Sequence, residues 1–412
     1  MNSRQHSKML RFLFSCYGLL FVIVVWKYAE REDTPSSGPL ESICEYDVKQ
    51  LCPECFTDTS VCRGIGDIFK PQDGSWSSRI NSLFAAHSTT LGTLGKTNTL
   101  AVMKRLNRRE TIEQLSREFC ATDANTYSVS ATHRCAWSRS GTLKAASAFV
   151  TDSILDKRRV EGCIFCPPNT KHLSLQRFLS MIEPTATELW KLLVVRANAE
   201  PLILKLLSQQ QRSFPVPTLL HSFGFSIIES FDGEPLNNFY DHQPSVRMMI
   251  ARELIKAAFR FTEGAAGFRF YLTDLSPDNV AIKLTEDSKT VSVSLVDLDN
   301  IIVLDSLADG FSSNRHHVHG KIECDGCFAY VQDDVCGHRS SDLNYFAVCQ
   351  LLHENLNGNA EVGLLHLADE VTDAAQILHE LLDECVHCQP PSCRNRSIIL
   401  EEMLNVLDQC LA

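Results

Sequence analysis

The stretch Tyr271-Leu-Thr-Asp-Leu-Ser-Pro-Asp-Asn279 decides the fold, and a later β-rich run, Val291-Ser-Val-Ser-Leu-Val-Asp-Leu-Asp299, ends in acidic residues. An aspartate such as Asp274 can accept the proton of a hydroxyl group. The oxygens of Asn279 and Asp297 are of the kind that Mg²⁺ prefers. The alternative is an acidic β-hairpin in which these residues only form a turn, since Asp, Pro and Asn favour turns in any case.

The order and spacing of these residues resemble the catalytic loop and metal-binding motif of a protein kinase, D-x-x-x-x-N followed by a strand and D-F-G. The resemblance implies that Asp274 is the base, and that Asn279 and Asp297 hold ATP through Mg²⁺ or Mn²⁺. Asp299 stands where the glycine of D-F-G is expected, and it is a further candidate metal ligand.

A candidate phosphate-binding region lies upstream. Gly92 and Gly95 resemble a reduced glycine loop over the nucleotide phosphates, and Ala101-Val-Met-Lys104 resembles V-A-I-K, whose lysine contacts those phosphates. Glu200 is the predicted partner of this lysine, and Glu113 is a competing one. The alternatives are an ordinary edge-strand lysine and a solvated carboxylate at a helix end.

Hydrophobic periodicity outlines the elements between the motifs. It predicts helices at 186–200, at 246–261 and from Asp342 onward, and strands at 218–221 and 225–229. Pro201 is predicted either to begin a new helix or to kink the one before it. The segment 107–180 is polar and cysteine-bearing, which predicts an insertion. Asp342 is predicted to anchor the catalytic-loop backbone or to cap its own helix.

The N-terminal residues have the pattern that an export signal requires. Basic residues precede an apolar run closed by Lys27, and no small-residue cleavage site follows, which predicts an uncleaved signal-anchor. A cleaved signal peptide is the alternative. The predicted organisation is a cytosolic tail (1–11), a transmembrane signal-anchor (12–28), a stem (29–43), a Cys-rich segment (44–82), a kinase-like small lobe with a Cys-bearing insertion (83–230) and a kinase-like large lobe (231–412). We expect a single-pass type II protein of the Golgi or endoplasmic reticulum membrane, or a secreted protein.

The cysteine content fits a lumenal location, and the net charge bears on partners. The chain has 17 cysteines, several in C-x-x-C pairs, and disulfides are expected in an oxidising lumen. Zinc binding by these pairs is the alternative. Asn395-Arg-Ser397 is a glycosylation sequon. The net charge of −11 argues against nucleic acid as a partner.

Taken together, the chain resembles the divergent protein-kinase-domain family of the secretory pathway, closest to the branch of the "deleted in autism" protein. The segments that carry this resemblance are Leu51-Cys-Pro-Glu-Cys-Phe56, Glu200-Pro-Leu-Ile-Leu204, Tyr271-Leu-Thr-Asp-Leu-Ser276, Val296-Asp-Leu-Asp299, Asn344-Tyr-Phe-Ala-Val-Cys-Gln350 and Leu381-Leu-Asp-Glu-Cys385. It implies a two-lobed, kinase-like α+β fold and transfer of the ATP γ-phosphate to a lumenal or secreted protein, or to a glycan.

The chain departs from the kinase pattern at three places. Ser276 replaces the lysine that helps to neutralise the transferred phosphate, Leu272-Thr273 replaces His-Arg, and Asp299 replaces glycine. The first two changes remove electrostatic stabilisation, which is often the largest contribution to catalysis. The alternative function is therefore a pseudokinase that acts as a disulfide-stabilised binding module or secreted signalling factor.

Overall fold

The structure, a computed structural model, describes most of the chain after residue 38. The described residues are 39–52, 55–56, 62–72, 89–106, 109–123, 143–156, 162–182, 187–210, 213–285, 289–322, 324, 328–354, 363–366, 373–388 and 393–412. The predicted tail, the signal-anchor and most of the stem lie outside them. Within the described ranges, no helix is both long and apolar enough to cross a bilayer.

The described part of the chain mixes helices and strands, as expected for a kinase-like α+β fold. Its strands are β1 (Phe69–Pro71), β2 (Thr89–Leu94), β3 (Leu100–Arg105), β4 (Ile164–Cys166), β5 (Leu219–Phe223), β6 (Ser226–Ser230), β7 (Glu234–Pro235), β8 (Phe268–Leu272), β9 (Val280–Leu284), β10 (Val291–Leu295), β11 (Ile301–Asp305), β12 (Ser313–His317) and β13 (His338–Ser341). Its α-helices are α1 (Pro39–Tyr46), α2 (Ile65–Ile68), α3 (Arg109–Asp123), α4 (Leu143–Ile154), α5 (Lys171–Ser180), α6 (Glu188–Ala197), α7 (Glu200–Ser208), α8 (Pro244–Glu263), α9 (Gln332–Cys336), α10 (Leu343–His353), α11 (Asp373–His387) and α12 (Arg396–Leu411).

An antiparallel sheet in the order β1-β2-β3-β6-β5, here called the N-terminal sheet, carries the predicted strand lysine. Side chains alternate across a strand, so Ala101 and Met103 of β3 face away from Lys104. They pack in an apolar cluster with Phe69 and Cys44, and the Cys44–Cys62 disulfide ties this cluster together. The predicted Cys-rich segment therefore shares a core with the sheet and supplies its edge strand.

Helices α6 and α7 are separated by a short break. The hydroxyl of Thr187 caps α6 by accepting from Trp190 N, and Asn198 Oδ1 accepts from the N–H of Glu200 to start α7. Pro201 lies in the first turn of α7, where its missing N–H leaves no helical hydrogen bond unmade. The predicted new helix is confirmed, and Glu200 is its first residue and is fully buried.

The C-terminal part is organised around α10, whose residues from Leu343 to Leu352 are all buried. A helix that is apolar on every side needs neighbours on every side, and α8, α11 and α12 pack against it. Two three-stranded sheets, β10-β9-β7 and β4-β11-β8, lie beside these helices. The loops 273–279 and 296–300 both cross from one of these sheets to the other, so the fold brings the two predicted site loops together.

The structure differs from the predicted insertion at 107–180. Apolar residues of α3 and α5 lie in the main core, and β4 pairs in parallel with β11. Ile112, Leu115 and Phe119 form the buried side of α3 at three- and four-residue spacing. This apolar stripe is narrow within a polar sequence, so average composition hides it.

Disulfides bond most described cysteines of the C-x-x-C pairs, as predicted. Cys52 bonds Cys55 within its pair, whereas Cys166, Cys385 and Cys388 bond cysteines outside the C-x-x-C pairs, in Cys166–Cys336, Cys349–Cys385 and Cys388–Cys393. A cysteine in a disulfide is not available as a zinc thiolate ligand. Asn395 of the sequon is exposed and accepts from Ser397 N to cap α12.

Candidate functional site

Lys104 on β3 lies between two buried carboxylates. Its Nζ is 2.9 and 3.1 Å from the two Oε atoms of Glu200 on α7, and 3.0 Å from Oε1 of Glu229 on β6. Burial alone would lower the pKa of Lys104, but Glu200 and Glu229 outweigh it and raise the pKa, so the ammonium group is charged. The structure thus selects Glu200 from the two predicted partners. Glu113 instead accepts from the hydroxyl of Tyr46 at 2.6 Å.

Glu200 also holds the loop 296–300. Its Oε1 accepts from the backbone N–H of Asp297 at 3.0 Å and of Leu298 at 3.3 Å. Asp297 has φ of 60°, in the left-handed region that residues with a Cβ seldom adopt. One buried carboxylate therefore connects the strand lysine, helix α7 and the backbone of Asp297.

The loop 273–279 is bonded to the same region. Asn279 Nδ2 donates to the backbone oxygen of Asp274 at 3.0 Å, and Val296 N donates to Asn279 O at 3.0 Å. The hydroxyl of Thr273 donates to Asn300 O at 2.8 Å. Asp274, Asn279 and Asp297 therefore lie on two loops that hydrogen bonds join directly.

Carboxylates outnumber the lysine at this site. Burial, together with the nearby charges of Asp297 and Glu200, raises the pKa of Asp299 to about 7. Burial also raises the pKa of Glu229, and Glu200 adds to the shift against the opposing effect of Lys104. Glu229 Oε2 is buried without a hydrogen-bond partner among the described residues. Negative charge is thus concentrated here beyond what Lys104 balances.

Gly92 and Gly95 lie away from this site, so the structure differs from the predicted glycine loop. Gly92 is within β2, where an added Cβ would lie 2.4 Å from the Phe69 ring. Gly95 directly follows β2, whose other end, Thr89, pairs with Lys104. A Cβ at Gly95 would lie 1.9 Å from Asp67 O. Both glycines allow close packing of residues 67–71. The connection 73–88 between β1 and β2 lies outside the described residues.

The roles predicted for Asp342 also differ from the structure. Asp342 Oδ1 accepts from His319 N at 2.7 Å, and Oδ2 accepts from Arg396 Nη1 at 2.6 Å. Asp342 occupies the N-cap position of α10, but its side chain makes no capping bond. Asn344 instead anchors the strand that leads into the loop 273–279, by accepting from Leu272 N at 2.9 Å.

Sequence reasoning missed two acidic residues near the lysine. Glu229 was visible as a charged residue at the end of the apolar strand Phe225-Ser-Ile-Ile-Glu229, the only signal that could have marked it. Asp232, two residues beyond β6, accepts from the hydroxyls of Ser230 and Ser294 at 2.6 Å each. It fixes the connection after β6 against β10.

Comparison with known proteins agrees with this geometry. Residues 189–388 match the family model described as the protein-kinase domain of FAM69. The matched segment is just under half of the chain, and the match supports its similarity to a divergent protein-kinase-domain family. Lys104 lies outside the matched segment, but its ion-pair partner Glu200 lies within it.

Individual relatives agree with this assignment. Divergent protein kinase domain 2A of Homo sapiens is 28% identical over 207 residues, which cover 48% of this chain and 46% of that protein. Its Xenopus tropicalis counterpart is 29% identical over 215 residues, covering 49% and 48%. The chain spans about half the length of the curated relatives it matches. These similarities do not identify the predicted "deleted in autism" branch.

Similarity to solved structures adds nothing further. The Rv3197–erythromycin complex from Mycobacterium tuberculosis aligns with a TM-score of 0.26 and 13% identity, over 73% of this chain and 66% of that chain. Superposition at this level carries no argument.

Proposed function

We propose that this protein is a divergent kinase of the secretory pathway that transfers the γ-phosphate of ATP to a lumenal or secreted protein, or to a glycan. The observation that carries the proposal is the Lys104–Glu200 ion pair bonded to the backbone of Asp297. An ion pair between a strand lysine and a helix glutamate, next to a metal-binding aspartate, is the arrangement that kinases require for activity.

The carboxylate excess supports a divalent cation at this site. Asp299 has a pKa of about 7, and a cation beside it and Asp297 would favour the ionised form of both. Carboxylate and amide oxygens suit Mg²⁺ or Mn²⁺, so Asp297, Asp299 and Asn279 are the proposed ligands. When bound, the cation would neutralise charge on the nucleotide phosphates. Lys104 would orient the phosphates, and the exposed Asp274 would accept the proton of the acceptor hydroxyl.

The proposed location is the lumen of the Golgi or endoplasmic reticulum, on a type II anchor at residues 12–28, or the outside of the cell after release. Disulfides such as Cys349–Cys385 and Cys166–Cys336 support this proposal, because such bonds persist in oxidising compartments.

A second candidate is a pseudokinase that serves as a binding module. Two observations favour it. Ser276 replaces a lysine of the kinase pattern, and Glu229 occupies a contact of Lys104 that phosphate would otherwise use. Such a binding module would not need to transfer a phosphoryl group.

Nucleotide-dependent stabilisation tests the proposal. ATP with Mg²⁺ or Mn²⁺ at about 100 times its dissociation constant should stabilise the purified protein by about 2.7 kcal/mol in thermal denaturation. Asp297→Ala should lose this stabilisation, whereas Asp309→Ala, which removes an exposed aspartate outside the motifs, should keep it. Absence of stabilisation with either metal, in a folded sample, would contradict nucleotide binding.

Asp274→Asn separates the two candidate functions. In a kinase, this variant should bind ATP like the wild type but lose transfer of labelled phosphate to proteins of the secretory pathway. Wild-type protein that binds ATP and transfers no phosphate would favour the pseudokinase.

A further inference from the structure

Metal-ligating side chains gather away from the Lys104 site, where the C-terminal end of α10 meets α11. His353 is the last residue of α10, and Asp383 and His387 are one turn apart near the end of α11. Residues four apart lie on the same side of a helix. The Cys349–Cys385 disulfide joins the same two helices one turn before His353. The disulfide therefore holds His353 of α10 close to Asp383 and His387 of α11.

The distances among the three side chains are close to those of a metal site. Nε2 of His353 is 3.9 Å from Oδ1 of Asp383, and Nε2 of His387 is 3.8 Å from the same oxygen. The ligand atoms of all three lie within 4.8 Å of one another. Ligand atoms around a tetrahedral Zn²⁺, with bonds of about 2.0–2.2 Å, are about 3.3–3.5 Å apart. The two distances to Asp383 exceed these values by about half an ångström, and no pair exceeds them by more than about 1.5 Å, so rotation of the exposed Asp383 and His387 side chains would close the difference.

We propose that His353, Asp383 and His387 bind one Zn²⁺ ion between α10 and α11. Two imidazoles and one carboxylate form a ligand set that suits zinc, whereas Mg²⁺ and Ca²⁺ prefer oxygen ligands alone. Three protein ligands leave a fourth position for water. Glu354 Oε1 is 3.5 Å from His387 Nε2, but Lys321 donates to this same oxygen, so water is the expected fourth ligand.

The burial of the three side chains supports the site. The side chain of His353 is only 13% exposed, whereas those of Asp383 and His387 are 61% and 42% exposed, so one ligand is held by packing and two can adjust. Burial lowers the pKa of His353, and His379 and His387 lower it further. Neutral imidazole is the form that binds a metal.

An ordinary surface ion pair explains the arrangement less well. A single His387–Asp383 pair on one helix would be expected to contribute little, because exposed pairs of this kind are weak. It would also leave unexplained why His353, from another helix, directs its Nε2 toward the same carboxylate oxygen.

Zinc titration tests the proposal. The purified full-length protein is titrated with Zn²⁺ against a competing chromophoric chelator, and the same titration is made with Asp297→Ala to exclude binding at the Lys104 site. One zinc equivalent is expected in both. His387→Ala should weaken this binding at least about tenfold, since even changes around the ligands of a zinc site have effects of that size. His172→Ala, an exposed histidine in α5, is the matched control and should bind like the wild type.

Co²⁺ provides a second measurement on the same variants. At a site of four or five ligands it gives an intense visible absorption band, which should be present in the wild type and in His172→Ala and absent in His387→Ala. Because His387 is exposed, its replacement is expected to leave the fold intact, which circular dichroism checks. Equal zinc affinity of His387→Ala and the wild type, or a spectrum like that of aqueous Co²⁺, would overturn the proposal.

Discussion

Two buried ion pairs in this molecule differ in their balance of charge. Lys104 contacts both Glu200 and Glu229, whereas Arg396 contacts the single carboxylate of Asp342 at 2.6 Å. Arg396 is completely buried, and Lys104 nearly so. The first pair lies beside the two site loops, and the second joins α10 to α12.

The remaining polar atoms of the two sites differ in the same way. Arg396 Nε donates to Cys385 O at 2.7 Å, and the second oxygen of Asp342 accepts from His319 N at 2.7 Å. Glu229 Oε2, by contrast, has no hydrogen-bond partner among the described residues. A buried ion pair with matched charges and complete hydrogen bonding needs no ligand, whereas one with excess carboxylate gains from a cation. The balance of charge thus distinguishes the structural pair Arg396–Asp342 from the candidate ligand site at Lys104.

The largest expected effect comes from breaking the balanced pair. Arg396→Ala leaves Asp342 buried without its cation, so we expect a loss of about 3–5 kcal/mol in the free energy of unfolding. Arg394→Ala is the matched control, because this half-exposed arginine pairs with Glu384 and Glu402 at the surface and should contribute less than about 1 kcal/mol. Urea denaturation measures both. Similar losses in the two variants would show that burial of Arg396 does not decide its contribution.

An intermediate effect on stability is expected at Asp299, beside Lys104, and it depends on pH. The pKa of Asp299 is about 7 when folded, against an ordinary value of 3.8, so between these values the folded state retains a proton that the unfolded state has lost. Wild-type stability should therefore fall as pH rises through this range. Asp299→Asn cannot ionise and should be more stable than the wild type by up to about 4 kcal/mol at pH 8, with little difference near pH 4.

Urea denaturation across this pH range checks the Asp299→Asn prediction, with Asp309→Asn as the exposed control. Millimolar Mg²⁺ or Mn²⁺ should reduce the difference at pH 8 if a cation binds here, because it stabilises the ionised wild-type carboxylate. A pH-independent difference would mean that ionisation of Asp299 is not its cause.

The smallest expected effect on stability comes from Glu229→Gln. The variant removes both the ion pair with Lys104 and the repulsion from Glu200, and these oppose each other, so the free energy of unfolding should change by less than about 1 kcal/mol. The same change frees Lys104 for phosphate and should tighten ATP binding about 3- to 10-fold. Calorimetric titration measures the affinity. Weaker ATP binding in Glu229→Gln would show that Glu229 supports the nucleotide instead of competing with it.

At the Lys104 site, the sequence predicted the residues of the two loops better than it predicted the contacts that hold them. Asp274, Asn279 and Asp297 follow short chain spacings within two adjacent loops, so local pattern was sufficient to find them. The choice between Glu113 and Glu200 depends on which helix packs against β3, and sequence distance carries no information about that. Arg396 was visible only as the middle residue of a sequon, because nothing adjacent to it in sequence indicates complete burial.

The prediction of a phosphate-binding loop at Gly92 and Gly95 differed from the structure for a related reason. A glycine marks either a flexible loop or a place where another part of the chain approaches closely, and the sequence does not distinguish the two. Gly92 and Gly95 belong to the second kind, because residues 67–71 cover them. The polar average over 107–180 likewise concealed helices that complete the core.

The strand that covers Gly92 also covers an edge of the N-terminal sheet. β1 closes one side of the N-terminal sheet, and the segment that carries it is held to the sheet by an apolar cluster containing the Cys44–Cys62 disulfide. Without β1, the backbone of β2 would present unpaired N–H and C=O groups to other chains, and such edges promote aggregation. The Cys44–Cys62 disulfide thus helps to keep a sheet edge covered, and its reduction is expected to expose that edge.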